Sequence, residues 1–203
     1  MKVIFLDIDG VLNHQKFYKE VSISKRRQSK FELNDEWGEA FCPISTDLLN
    51  ELIVKTDAKI VISSSKRSTK HYPDYCANLK CIQEMWKNRG FIGEVIGTTP
   101  HLWISSNTSE YSIPRGCEIE SFLENDLKFH HINWSKEEQK KYMDISNVDN
   151  YIIIDDDSDM LYSQRNHFIH VLPSPRNLSG FNKKYMNIAL KTLSKTVIDL
   201  NYR

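Results

Sequence analysis

Three short apolar runs, each cut off by a cluster of reactive polar residues, constrain this chain more than any other feature. Lys2–Leu6 runs into Asp7 and Asp9, residues 58–62 into Ser63-Ser64-Ser65, and residues 151–154 into Asp155-Asp156-Asp157. Compact runs rich in β-branched side chains with such abrupt stops read as buried strands. When strands of this kind lie parallel, their carboxyl ends line a single crevice, and polar groups remote in sequence meet there.

The segments between them supply the helices that a parallel sheet requires. Ile44, Leu48, Leu49, Leu52 and Ile53 fall on one helical face, with Ser45 or Thr46 available as the N-cap. Cys76, Leu79, Ile82 and Trp86 follow at near-helical spacing, closed by Gly90 and succeeded by a small strand at residues 94–96. A loop carrying Pro100 and Pro114 leads into a helix marked by Ile119, Phe122, Leu123 and Leu127. Residues 168–172 form another strand, and residues 186–193 belong to a closing helix. The alternation predicts an α/β fold, a Rossmann-like, doubly wound parallel sheet with helices on both faces.

At 203 residues the chain suits one domain, residues 1–203, with room for an insertion. Two segments are too long for simple connections. Residues 13–43 carry Phe17, Tyr18, Phe31 and Trp37 among polar and basic residues and are expected to form a small lid. In residues 130–150, Ser135 and Glu138 match a capping box at the start of a helix.

Lysine plus arginine equals aspartate plus glutamate at 27 each, so a general polyanion-binding coat is not expected. A local basic run, Lys25-Arg26-Arg27 with Lys30, lies near Tyr18 and Phe31 in sequence. Cations interleaved with aromatics suit a single nucleic-acid strand, although such a run is more often a solvated face. Cys42, Cys76, Cys81 and Cys117 form no C-x-x-C pair, which argues against a cysteine zinc site and against a secreted disulfide framework. No apolar stretch approaches the ~18 residues of a membrane span, and residues 3–6 are too short for a signal peptide. The expected setting is the cytoplasm, with no membrane partner.

The acids carry the chemistry. Gathering Asp7, Asp9 and the Asp155 cluster in one crevice is unfavourable through mutual repulsion, which a divalent cation would relieve. All-oxygen ligation selects a hard ion, of which Mg²⁺ is the expected one. In Asp7-x-Asp9 one carboxylate can act as nucleophile while its neighbour handles protons. Hydroxyls from Ser63 or Ser64 would hold equatorial phosphoryl oxygens. The set suits phosphoryl transfer better than acyl transfer, which would call for a Ser–His pair.

These segments resemble a known family. The stretch Val3-Ile4-Phe5-Leu6-Asp7-Ile8-Asp9-Gly10-Val11-Leu12-Asn13 is similar to the first motif of the haloacid dehalogenase-like (HAD) phosphatases. Ile60-Val61-Ile62-Ser63-Ser64 looks like the second and Ile152-Ile153-Ile154-Asp155-Asp156 like the fourth; Arg115, in Arg115-Gly116-Cys117-Glu118-Ile119, fits the third best. The resemblance implies a HAD fold with Asp7 as the nucleophile that forms an aspartyl-phosphate. It implies that Asp9 protonates the leaving group and later activates water. Ser63 would hydrogen-bond the phosphoryl group, with Ser64 next in line for a register one residue on, and Arg115 would offset charge. Asp155 and Asp156 would hold Mg²⁺ with Asp7 and the backbone carbonyl of Asp9, and Asp159 would stand in the outer shell. Which of Asp155, Asp156 and Asp157 is the direct ligand stays open. Arg67 is a candidate phosphate contact, a surface ion pair being its ordinary alternative.

More narrowly, Ser63-Ser64-Ser65-Lys66-Arg67, the Arg115-Gly116 helix start and the triple aspartate resemble HAD domains fused to bacterial and phage RNA-repair proteins. The implied activity is a Mg²⁺-dependent phosphomonoester hydrolase. Its partner would be a phosphorylated substrate: a nucleic-acid end, a nucleotide or a small phosphometabolite. The alternative is a non-catalytic phosphate- or nucleic-acid-binding module on the same fold. Loss of the nucleophile or the acid would mark that alternative, and here both Asp7 and Asp9 are present.

Overall fold

The computed structural model describes residues 1–26, 34–35, 38–65, 79–100, 102–105, 110–124, 148–172 and 180–195. In chain order the elements are β1 (Lys2–Leu6), α1 (Gln15–Arg26), β2 (Asn34–Asp35), β3 (Gly38–Glu39), α2 (Pro43–Thr56), β4 (Lys59–Ile62) and α3 (Leu79–Asn88). There follow β5 (Val95–Thr98), β6 (Trp103–Ser105), β7 (Glu110–Ser112), α4 (Arg115–Leu123), β8 (Asn150–Asp155), a 3₁₀ turn (Tyr162–Gln164), β9 (Phe168–His170) and α5 (Lys183–Leu193).

Five of the strands make one parallel sheet in the order β5-β4-β1-β8-β9. The chain moves outward from β1 through β4 to β5 and then returns to the other side through β8 and β9. The reversal leaves a crevice at the carboxyl ends of β1 and β8. Register fixes what meets there. Leu6 pairs with Ile62 on one side and Ile154 on the other. The ladder then runs one step further: the Asp7 N–H donates to the Ile154 carbonyl at 2.9 Å, and the Ser63 N–H to the Leu6 carbonyl at 2.8 Å. Asp7, Ser63 and Asp155 therefore stand level at the sheet edge.

Both faces of the sheet are covered, which explains why β1, β4 and β8 are apolar almost throughout. On one face Phe5 meets Phe122 of α4 edge to face at 5.4 Å. On the other, Ile53 of α2 and Ile60 of β4 close on Gly93 so tightly that a Cβ there would collide with Ile53. Helices α2 and α5 pack together on that side. The buried Asn150 amide clasps the end of α5 by donating to the carbonyls of Thr192 at 3.0 Å and Lys195 at 2.8 Å.

Several sequence expectations are corrected. Helix α2 begins at Pro43, whose fixed φ and missing N–H suit the first helical position, with Cys42 as an N-cap that makes no side-chain bond. Ser45 and Thr46 are not caps: their buried hydroxyls donate to the carbonyls of Phe181 at 2.9 Å and Cys42 at 3.1 Å. Ile44 is 66% exposed, so the buried stripe is Ser45, Thr46, Leu49, Leu52 and Ile53. The stretch between Pro100 and Pro114 is not plain loop but holds the antiparallel ribbon β6–β7. The strand expected at residues 94–96 runs instead over Val95–Thr98, and β9 stops at His170. In α3, Trp86 is core as its helical spacing leads one to expect, stacked on Phe91 at 3.7 Å. The candidates Phe31, Trp37, Arg27 and Lys30, with residues 131–147, lie outside the described residues. Among the described residues no helix is long and apolar enough to cross a membrane.

Candidate active site

Asp7 leaves β1 at the crevice with 5% exposure. The tight turn after it reverses the chain at Gly10, whose φ of +71° is costly for any side-chain-bearing residue. A Cβ at Gly10 would overlap the Asp156 carboxylate, so this glycine is what lets Asp156 in. Asp7, Asp155 and Asp156 each offer a carboxylate oxygen, and the three atoms lie within 4.8 Å of one another. Asp157 is exposed and stands outside the cluster; its backbone N–H donates to Asp155 Oδ1 at 2.9 Å. Asp155 Oδ2 is buried and has no hydrogen-bond partner.

Burial and crowding raise the proton affinity of all three acids. Asp7 is pushed well above the ordinary carboxylate range, by burial first and then by the charge of Asp155, against the pull of Arg115 and a hydrogen bond from Ser64. Asp155 is pushed up to about 7, chiefly by burial, with the Asp157 N–H and Arg115 opposing. Asp156 is raised by burial, then by Asp157.

The third side of the crevice is the start of α4. Arg115 Nη1 faces Asp7 Oδ1 at 3.8 Å. Its helix has Pro114 as N-cap and no capping side chain of its own. Asp159 supplies the cap instead, accepting the Arg115 N–H at 2.8 Å; it stands outside the three-carboxylate cluster, and its charge still acts on Asp155. The buried Gln164 amide donates to the Gly116 carbonyl at 2.8 Å. A Cβ at Gly116 would strike the backbone nitrogen of Leu161. The loop after β8 thus both presents the acids and seats the helix that carries Arg115.

The remaining candidates divide. The Ser64 hydroxyl reaches Asp7. Ser63, 1% exposed, instead accepts from Thr99 Oγ1 at 3.4 Å, and Ser65 is exposed. Asp9 is half-buried and accepts from Asn13 Nδ2 at 3.3 Å; its carboxylate is not in the cluster with Asp7, Asp155 and Asp156. Arg67 lies outside the described residues. Sequence reasoning missed Thr99, which ends β5 as Ser63 ends β4. It also missed Glu118, whose spacing of three from Arg115 was the available signal.

The donor set fits a divalent cation. Three carboxylates crowd together, one oxygen is buried and orphaned, and all donors are hard oxygens. A buried carboxylate, a guanidinium and a serine hydroxyl converge in the crevice, a set of groups able to receive an anion beside a bound cation.

A family model described as the HAD domain in Swiss Army Knife RNA repair proteins matches residues 3–177. The chain belongs to that family. No match was found among curated proteins or among solved structures.

Proposed function

We propose that the protein is a Mg²⁺-dependent phosphomonoester hydrolase acting through an aspartyl-phosphate on Asp7. Support comes from one juxtaposition: Asp7 within 4.8 Å of Asp155 and Asp156 on one side and 3.8 Å from Arg115 on another. Membership in a HAD family supports phosphatase-type chemistry in general.

Asp7, Asp155 and Asp156 would hold the cation, with the backbone carbonyl of Asp9. Bound there, Mg²⁺ would screen the repulsion between the carboxylates and the phosphoryl oxygens. An Asp7 oxygen attacks phosphorus while the bond to the leaving oxygen breaks, and Asp9 gives that oxygen its proton. Water then attacks the same phosphorus, Asp9 takes its proton, and Asp7 is released with inorganic phosphate. Arg115 offsets the charge on nucleophile and phosphoryl group, and Ser64 fixes the Asp7 carboxylate through its hydroxyl.

The family description, which names RNA repair, favours a phosphorylated nucleic-acid end over a free nucleotide or a sugar phosphate. Residues 13–43 are proposed as a lid over that substrate. The deciding experiment is a phosphatase screen that sets 3′- and 5′-phosphorylated oligonucleotides beside nucleotides and sugar phosphates. Wild type should release phosphate only with Mg²⁺, and Asp7→Asn should lose at least about a thousandfold while remaining folded by circular dichroism. Turnover that survives Asp7→Asn or full chelation would refute the assignment.

A further inference from the structure

One buried acid beside the crevice has no part in the chemistry above. Glu118 is 2% exposed, and a carboxylate so deep is unfavourable unless its oxygens are engaged. Its two oxygens serve different partners. Oε1 accepts the backbone N–H of Leu102 at 3.0 Å, at the foot of the β6–β7 ribbon. Oε2 faces Arg115 Nε at 3.9 Å, one turn back on the same helix. At the other end of the same guanidinium, Nη1 faces Asp7 Oδ1 at 3.8 Å and, although buried, makes no hydrogen bond. The guanidinium hangs between two buried carboxylates, too far from either for a full hydrogen bond, with a donor in reserve beside the nucleophile.

We propose that Glu118 is a positioning residue that holds Arg115 off Asp7 and ties that setting to the seating of the β6–β7 ribbon through Leu102, a role that rests on the phosphohydrolase assignment. With the Glu118 charge removed, the pull left on Arg115 comes from Asp7 and Asp155. The guanidinium then closes on the nucleophile, and its reserve donor is lost to the phosphoryl group. The ribbon enters because it is spliced between β5 and α4, both of which reach the crevice, and its ends are closed by the Ile113 N–H on the Leu102 carbonyl at 3.1 Å. A displacement of the ribbon moves Leu102, and with it the carboxylate that steadies Arg115.

Two substitutions separate the halves of this linkage. Glu118→Gln keeps an acceptor for the Leu102 N–H and removes the charge. Leu102→Pro keeps the charge and removes the N–H. The first readout is the Arg115 Nε–H resonance, identified by its disappearance in Arg115→Lys and followed for exchange with water. The second is kcat/KM on an aryl phosphate with Mg²⁺. In Glu118→Gln the exchange rate should rise and kcat/KM should fall, each by about tenfold, the kinetic loss appearing mainly in KM. Leu102→Pro should move both in the same direction by less. In an Arg115→Met background, Glu118→Gln should change kcat/KM no further, because it acts only through the arginine. Additive losses in the double variant, or an Nε–H exchange rate that Glu118→Gln leaves unmoved, would overturn the proposal. If the wild type hydrolyses no phosphate ester, the phosphatase assignment fails, and calorimetric binding of inorganic phosphate by the same proteins takes the place of kcat/KM. A wild type that neither hydrolyses nor binds phosphate sinks both.

Discussion

Asp155→Asn should stabilise the protein when divalent cations are stripped away and weaken it, relative to wild type, when they are supplied. Burial is the chief reason that Asp155 keeps its proton up to about pH 7. The unfolded chain releases the same proton near pH 4, the ordinary carboxylate range. Between those limits the native state binds more protons than the unfolded one, so stability falls as pH rises and levels off above about pH 8. At about 1.4 kcal/mol per pH unit, the gap sets a ceiling of about 4 kcal/mol. Asparagine is neutral throughout, and its Oδ1 can keep the hydrogen bond from Asp157. Because Asp7 and Asp156 share the repulsion, the single change should recover about half the ceiling at about pH 8 and nothing at about pH 4. For a chain of this size, about 2 kcal/mol raises the melting temperature by roughly 4–8 °C. The assay is thermal melting in chelator across that pH range, repeated with Mg²⁺. At about 100 times its dissociation constant, Mg²⁺ adds about 2.7 kcal/mol to the wild type. The variant lacks a ligand and gains less, so the order of melting points should invert. If Asp155→Asn melts below wild type in chelator at about pH 8, or the difference ignores pH, a carboxylate held protonated by burial does not describe position 155.

Ser64→Ala should lower kcat/KM by about 10–100-fold and Ser63→Ala by less, because only the Ser64 hydroxyl reaches Asp7 while Ser63 is turned to Thr99. Steady-state kinetics on the two variants checks the order, and the reverse order would mean that the reaction does not depend on the Ser64 bond to Asp7. Gly10→Ala combines a left-handed backbone with a Cβ that overlaps Asp156. It should lose at least about 1–2 kcal/mol of stability and about tenfold in Mg²⁺ affinity, read by melting and calorimetry. Retention of both would mean that Asp156 has another place to go.

The sheet was legible because its signals are local. The β1 run is apolar from Val3 to Leu6 and stops at a carboxylate, and the structure puts its ends at Lys2 and Leu6. The alternation of apolar runs with helical spacing likewise carries the five-stranded order only through general rules of connection. What was not legible depends on distant partners. Ser45 looks like a cap until Phe181, far away in sequence, offers its carbonyl. Ile44 sits one position off a stripe that tertiary neighbours choose. The three-residue strands of the β6–β7 ribbon are too short to show a period. Asp159 reads as one more acid near the cluster, yet α4 lacks a cap and takes this one. Within the crevice, the sequence placed serines and aspartates at strand ends but left open which serine faces Asp7 and which aspartates gather. Those choices follow from how the chain bends after the last ladder bond, where Gly10 turns it and the Asp157 N–H anchors Asp155.

The pairing of Leu6 with Ile154 carries an implication for how such a site can fail. Adjacent residues in a strand point to opposite sides, so sliding β8 by one position against β1 would swing Asp155 to the far side of the layer rather than shift it by a fraction of an ångström. Damage to the β-ladder should therefore silence individual molecules outright. A population of partly damaged molecules would contain fewer working copies, each with an unaltered affinity for its ligand.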